Sequence, residues 1–346
     1  MYTVKSSEKL RKPGSDAETK ALLYLMNFMP DSDEIYYFIV DFFNDLTGMD
    51  TMSTKLWDLQ SKGDHNVGPK KIGKELVTLF KNYMSEFDFN AYIIFIGTVS
   101  STVCIDCSKN AFDITNIKDS ALDKIKVGLI EEGKKKKYIS ESDLTDENIC
   151  SFLKKLKFVI DNDKRPSEYV RSIIRNHPNI VPKEETLNSI FNEIRNVQSS
   201  KKNNNVVENI TIQTSDEALN YSRYLTNNEI KLLTLQRIIQ SEIILKNAIP
   251  TSFIEIYNAW QPEEKNNRIE ECQQALYRVL FNNNTSDLFW HLFERTYNVI
   301  VKNPSYNVQQ IFLYVNKCHH KMANDLGFDV LSLKYFIAIM KDGIEP

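Results

Sequence analysis

Apolar residues recur at two different spacings in successive segments of this 346-residue chain, one typical of helices and one typical of strands. The segment 15–29 has apolar residues at helical spacing, and Pro30 would end that helix. Three later segments have the β-branched and aromatic composition or the alternation of strands: 35–43, 55–62 and 92–99. A helix at about 70–86 separates the last two. The order helix, strand, strand, helix, strand predicts an α/β unit with a mixed sheet.

Helical spacing dominates from about residue 117 onward. The pattern predicts helices at 117–132, 145–155, 167–176, 184–198, 216–246, 252–260, 264–281, 286–302, 306–325 and 329–341, with short strands at 102–106 and 156–160. The tract 199–209 is polar and rich in asparagine, which is typical of a linker. We therefore predict an α/β domain at 1–210 and an all-α domain at 216–346.

Composition excludes several classes of protein. Glycine and proline number only 10 each, which argues against sandwiches, barrels and collagen-like repeats. The 43 basic and 46 acidic side chains give a net charge of −3, so DNA contacts would have to come from local patches. Five cysteines form no disulfide framework. The start of the chain lacks an apolar signal segment and no apolar run approaches the roughly 20 residues of a membrane span, so we expect a soluble cytoplasmic protein without membrane contact.

One strand carries an unusual set of polar residues. Side chains two positions apart share a face of a strand, so Asp58, Gln60 and Lys62 project together. The turn-rich segment around Gly48 would fold the preceding strand back beside them. Carboxylates and the Gln60 oxygen suit Mg²⁺, with Mn²⁺ as a substitute, and an ammonium group suits a phosphate under attack. The set therefore indicates phosphodiester hydrolysis.

This pattern resembles the PD-(D/E)xK nuclease superfamily in its Gln-x-Lys variant. It is similar to the double-strand DNA endonuclease domains of CD-NTase-associated effectors, and more so to the nuclease subunits of Lamassu anti-phage systems. The resemblance covers about residues 10–200. It implies that Glu18 is the carboxylate of the first helix, Asp45 the strand aspartate, and Gln60 and Lys62 the third motif. Together with Asp58, the carboxylates and Gln60 would bind the metal in a restriction-endonuclease-like domain.

Other interpretations of the same residues stay open. Asp41, Asp45 and Asp50 compete for the role of strand aspartate, and the offset before the Gln-x-Lys strand favours Asp45. A polar face is also common on an edge strand, where Asp58 and Lys62 would form a solvated pair.

Two further groups of residues have functional and structural interpretations. Lys70, Lys71 and Lys74 begin the helix after the Gln-x-Lys strand, where they would contact the DNA backbone or form a solvated face. The lone Cys-x-x-Cys at 104–107 lacks two further zinc ligands nearby, so we expect buried thiols there rather than a metal site.

The helical second half carries aromatics at core spacing and no catalytic cluster. We expect it to serve self-association or partner docking. The Lamassu resemblance implies a complex with an SMC-like ATPase and a possible third small subunit, in which the chain cleaves double-stranded DNA on activation. The alternative is a non-catalytic scaffold subunit with a degenerate nuclease fold.

Overall fold

The computed structural model describes residues 1–4, 12–202, 206–240, 249–282 and 285–344. The chain divides into two compact units. The first unit comprises Met1–Ile173 and Phe191–Asn227, and the second comprises Ile174–Ile190 and Asn228–Pro346.

The first unit is built on a mixed sheet, as the sequence predicts. Within the described residues, the strands are β1 (Tyr2–Thr3), β2 (Tyr37–Val40), β3 (Leu46–Met49), β4 (Leu56–Lys62), β5 (Ala91–Ile96), β6 (Ala111–Phe112), β7 (Leu156–Ile160), β8 (Thr211–Ile212) and β9 (Tyr224–Thr226). Seven of them form one sheet in the order β6-β7-β5-β4-β3-β2-β9. β4, β5 and β7 run parallel, whereas the other neighbours are antiparallel. β1 and β8 pair separately.

Helices connect these strands at or near the predicted positions. Their bounds are α1 (Lys12–Asn27), α2 (Pro69–Glu75), α3 (Val77–Tyr83), α4 (Asp119–Gly133), α5 (Asp146–Lys155), α6 (Pro166–Arg171) and α7 (Glu184–Lys202). The helix expected at 70–86 is two short helices separated by Leu76. α2 packs against α4 at two glycines: a Cβ on Gly73 would lie 2.0 Å from the Ile125 carbonyl oxygen, and one on Gly128 would lie 2.1 Å from that of Lys70. The two glycines therefore let the backbones of α2 and α4 come into direct contact.

Some local expectations are corrected by the structure. The residues around Gly48 form strand β3 rather than a turn. The segment 102–106 is not a strand, although Cys104 makes an isolated bridge to Ile117. Cys104 is buried but Cys107 is exposed. In the tract 199–209, residues up to Lys202 continue α7, and the last of them, Lys202, forms an ion pair with Glu18 of α1. Residues 203–205 lie outside the described residues.

The segment 216–246 is not one helix. Its start is a 3-10 helix (Asp216–Tyr221), followed by β9 and then α8 (Asn227–Ile238), while 241–248 lie outside the described residues. β9 forms because Leu225 is buried opposite Phe38 at the edge of the large sheet. The sheet therefore takes strands from both sides of the tract 199–209.

The second unit is helical, as predicted for this part of the chain. Among the described residues after Thr226 there is no strand, and the helices after α8 are α9 (Ile254–Asn258), α10 (Pro262–Leu280), α11 (Ser286–Lys302), α12 (Val308–Asp325) and α13 (Val330–Gly343). Phe253, Phe293 and Phe336 are fully buried in this unit. None of the helices in the described parts of the chain has both the length and the apolar character needed to cross a bilayer.

Candidate active site

The connection between β2 and β3 presents the first of the predicted residues. Asp41 adopts a left-handed backbone conformation with φ of 51°, and its N–H donates to the Asp45 carbonyl oxygen at 3.1 Å. Arg223 is buried and donates to the Asp41 carbonyl oxygen at 3.0 Å and to its carboxylate at 3.4 Å. The reversal of the chain thus occurs at 41–45 and delivers Asp45 to the start of β3.

Asp45 lies beside the Gln-x-Lys strand. Because Leu46 pairs with Leu59, the register brings Asp45 opposite Gln60. Asp45 Oδ2 accepts hydrogen bonds from Gln60 Nε2 at 2.7 Å, from the Ser61 N–H at 2.9 Å and from the Ser61 hydroxyl at 3.2 Å. Three donors therefore fix this carboxylate against β4.

Asp50, the third competing aspartate, has a different role. Its carboxylate accepts hydrogen bonds from the N–H of Thr54 at 2.7 Å, from the Thr54 hydroxyl at 2.9 Å and from the N–H of Lys55 at 3.0 Å. Partial burial raises the pKa of Asp50, but these hydrogen bonds outweigh it and leave the pKa below its usual value. Asp50 organises the β3–β4 turn, so Asp45 is the aspartate that meets Gln60.

Glu18 reaches the same region from α1. Burial raises the pKa of its carboxyl group to about 7, and the negative charges of Asp45 and Asp41 contribute to the increase. The Lys202 ammonium, at the end of α7, lies 2.7 Å from the Glu18 carboxylate and opposes this change. Although burial lowers the pKa of Lys202, the charges of Glu18, Asp41 and Asp45 raise it overall. Three carboxylates thus share the electrostatic field around one buried ammonium group.

Asp58 differs from the other predicted ligands in its surroundings. It is fully buried, and its carboxylate accepts a hydrogen bond from Asn82 Nδ2 of α3 at 2.7 Å. Burial raises the pKa of Asp58 to about 7, although the amides of Asn82 and Asn44 and the charge of Lys81 oppose the increase. Asp58 therefore lies in the interior between β4 and α3.

Lys62 ends the strand in a more open position. Its ammonium lies 3.5 Å from the Glu75 carboxylate at the end of α2, and both side chains are between a fifth and a third exposed. Lys62 thus keeps contact with solvent beside a second carboxylate that the sequence pattern did not indicate.

The predicted DNA-binding lysines lie on α2, and two of them form ion pairs with acidic residues. Lys70 forms an ion pair with Glu131 at 2.7 Å, and Lys71 forms one with Asp64 at 2.9 Å. Both lysines are about half exposed, so these pairs are solvated and weak.

Sequence reasoning missed Ser61, Glu75 and Lys202. By alternation the Ser61 side chain belongs to the opposite face from Gln60, but its backbone N–H points along the sheet toward Asp45. Lys202 lies in the last turn of α7, where lysines are common because a positive charge there interacts favourably with the helix dipole. Nothing in its spacing, however, indicated a contact with Glu18.

Comparison of the chain with protein-family models, with curated proteins and with solved structures gives no match. Carboxylates of Glu18 and Asp45 and the amide of Gln60 offer the hard oxygen donors that divalent cations of the Mg²⁺ type prefer. Lys62 offers a positive charge at the same strand end.

Proposed function

We propose that this protein is a metal-dependent endonuclease of the PD-(D/E)xK type that hydrolyses double-stranded DNA. The main support is that Gln60 donates to Asp45 at 2.7 Å while Glu18, from a distant helix, is close enough for Asp45 to raise its pKa. In the nuclease superfamily that the sequence resembles, a helix carboxylate, a strand aspartate and a Gln-x-Lys strand come together in the active site. The order α1, β3, β4, α2 agrees with it and supports a restriction-endonuclease-like fold.

The donor set fits Mg²⁺ or Mn²⁺. A buried ammonium group already lies among the carboxylates, at 2.7 Å from Glu18, which indicates that the cluster favours a cation. Glu18, Asp45 and the Gln60 side-chain oxygen would hold the metal, which supplies charge stabilisation for a phosphate and lowers the pKa of a bound water. We exclude Asp58 from this set because it is fully buried against Asn82.

The protein's own groups would then position the reactants. Asp45 is held by the N–H and hydroxyl of Ser61, so its orientation is fixed before substrate binds. Lys62 would orient the attacking water and stabilise the negative charge that grows on the phosphate oxygens. Glu75 lies 3.5 Å from the Lys62 ammonium and would serve as its carboxylate partner until DNA arrives.

Plasmid cleavage by Lys62→Ala tests this function. Lys62 is preferred to Asp45 for the test because Asp45 accepts three hydrogen bonds, and its loss would disturb the hairpin. Since the ammonium acts in the transition state, we expect cleavage to be abolished while DNA affinity and folding persist, with a stability change of at most about 1 kcal/mol. Lys55→Ala, which removes a half-exposed lysine paired with Glu34, is the matched control. Full cleavage by Lys62→Ala would refute the assignment.

Metal preference provides a second test. Because the donors are oxygens, cleavage should require Mg²⁺ or Mn²⁺, should disappear with a chelator and should not be restored by Zn²⁺. The measurement is plasmid cleavage after chelation and re-addition of each ion. Cleavage that survives the chelator would indicate another mechanism.

We further propose that the chain is the effector of an anti-phage complex containing an SMC-like ATPase. The same proposal includes a third small subunit, self-association through the helical second half and a cytoplasmic location. It also includes contacts of the DNA backbone with Lys70, Lys71 and Lys74. The cleavage assay is therefore run alone and with the products of neighbouring genes. Cleavage that appears only with an ATPase partner would support the complex.

The competing function is a non-catalytic scaffold. The observation that favours it is the buried Lys202–Glu18 pair, because an ammonium group fills the place where a metal would be held. Binding of Mn²⁺ to the purified protein, measured by calorimetry, distinguishes the two. A scaffold with a degenerate site would bind none at Glu18, and Glu18→Gln would leave the titration unchanged.

A further inference from the structure

A second group of potential metal ligands lies in the helical unit, far along the sequence from the proposed nuclease residues. His177, His291 and Glu294 each offer one ligand atom, and within the described residues these atoms all lie within 4.8 Å of one another. His177 precedes α7, whereas the other two lie on α11. We propose that these three residues form a binding site for a single divalent transition-metal ion of the Zn²⁺ type.

The distances suit such an ion. His177 Nδ1 lies 3.4 Å from the Glu294 carboxylate, and His291 Nδ1 lies 4.0 Å from it. Ligands about 2.0 to 2.2 Å from a tetrahedral zinc ion are separated by roughly 3.3 to 3.5 Å. The half-exposed His291 ring would need to move, because the ligand atoms lie within 4.8 Å of one another and a tetrahedral ion needs roughly 3.3 to 3.5 Å.

The two buried ligands are already oriented. Glu294 is 3% exposed, and its second carboxylate oxygen accepts from the backbone N–H of Asn179 at 3.0 Å and from its side-chain amide at 2.7 Å. The His177 ring stacks against Trp290 at 5.6 Å between centroids. Outer contacts of this kind are what hold ligands in a metal site. His291 is 49% exposed, which leaves an approach for the ion and room for water.

The donor chemistry separates this site from the proposed Mg²⁺ site. Two imidazoles and one carboxylate favour Zn²⁺, Co²⁺ or Ni²⁺ over Mg²⁺, whereas the cluster at Glu18 offers oxygen alone. Asp287 lies one turn before His291 on α11, and its negative charge acts on His177. The ion would join the segment before α7 to α11 within the second unit.

Cobalt spectroscopy on the full chain tests the site. Chelator-treated protein is titrated with Co²⁺ in excess Mg²⁺, which occupies oxygen-only sites, and the visible absorption of Co²⁺ is recorded. We expect one equivalent to bind without a thiolate charge-transfer band, and Zn²⁺ to displace it. His291→Ala should weaken binding by at least roughly tenfold and should fold normally, because the side chain is half exposed.

His65→Ala is the matched control, since His65 is exposed, lies in the first unit and faces Asp163. It should bind Co²⁺ as the native chain does. Zn²⁺ should also raise the melting temperature of the native chain and of His65→Ala, but not that of His291→Ala. Equal Co²⁺ affinity in native and His291→Ala protein, or no Co²⁺ absorption at all, would overturn the proposal and leave His177 and Glu294 as a simple buried pair.

Discussion

Replacing Asp58 by asparagine tests how strongly the interior beneath the site disfavours charge. The carboxyl group is fully buried, and its pKa rises from the usual 3.8 to about 7. A pKa difference of about 3 corresponds to roughly 4 kcal/mol, because each pH unit is worth about 1.4 kcal/mol. Asp58→Asn keeps the size of the side chain and an oxygen that accepts from Asn82, but removes the charge.

The direction in which the free energy of unfolding changes with pH follows from proton binding to Asp58. Between about pH 4 and pH 7 the unfolded chain has lost the Asp58 proton while the folded chain keeps it, so the free energy of unfolding falls as pH rises. The stabilisation is complete below pH 4 and is lost once pH passes about 7. Relative to the native chain, Asp58→Asn should therefore gain up to roughly 4 kcal/mol between pH 4 and pH 8.

Urea unfolding with a chelator present, at several pH values, measures this difference. Asp123→Asn, which changes an exposed aspartate on α4, is the control and should show little change with pH. A difference between Asp58→Asn and native protein that is the same at pH 4 and pH 8 would refute the reasoning. Loss of Mn²⁺ binding in Asp58→Asn would return Asp58 to the set of metal ligands.

Two further substitutions test the surroundings of the site. Gly73→Ala should destabilise the protein by about 1 to 3 kcal/mol in urea unfolding, because the new Cβ would lie 2.0 Å from the Ile125 carbonyl oxygen. Gly68→Ala is the control and should have little effect, because a Cβ there would have no atom within 4 Å. Equal losses of stability in the two variants would contradict this packing. Lys202→Gln should cost about 3 kcal/mol in urea unfolding without metal, because Glu18 loses its buried partner. The same substitution should tighten Mn²⁺ binding in calorimetry, and weaker binding would contradict competition between the ammonium group and the metal.

The sequence predicts the parts of this fold that depend on local pattern. Alternation along 55–62 and the apolar run at 92–99 correspond to β4 and β5, and, apart from the segment 216–246, the later predicted helices agree with the structure within a few residues. β3 was missed because its residues include Gly48 and Thr47, which read as a turn, whereas pairing on both sides makes the segment a strand. Tertiary pairing overrides local propensity there.

The site was predictable to a similar extent. The meeting of Asp45 with Gln60 follows from strand alternation and a hairpin, both of which are local. The contacts of Lys202 with Glu18 and of Arg223 with Asp41 are not, because they join residues far apart in sequence. Similarly, His291 and Glu294 lie three residues apart on one helix, but only the fold brings His177 to them.

The Lys202–Glu18 pair is the contact on which the two candidate functions disagree. In a nuclease, the ammonium group offsets the repulsion between three neighbouring carboxylates while no metal is bound, and the ion displaces it on binding. In a scaffold, the same ammonium group is a permanent counter-charge. A buried ion pair contributes little net stability when both partners are replaced by apolar residues, so stability alone does not explain placing charges there. The double variant Lys202→Gln, Glu18→Gln distinguishes the two functions. If it is as stable as the native chain but has lost the Mn²⁺ binding of the native chain, the Glu18 carboxylate is a metal ligand and the Lys202 ammonium group is its counter-charge while no metal is bound.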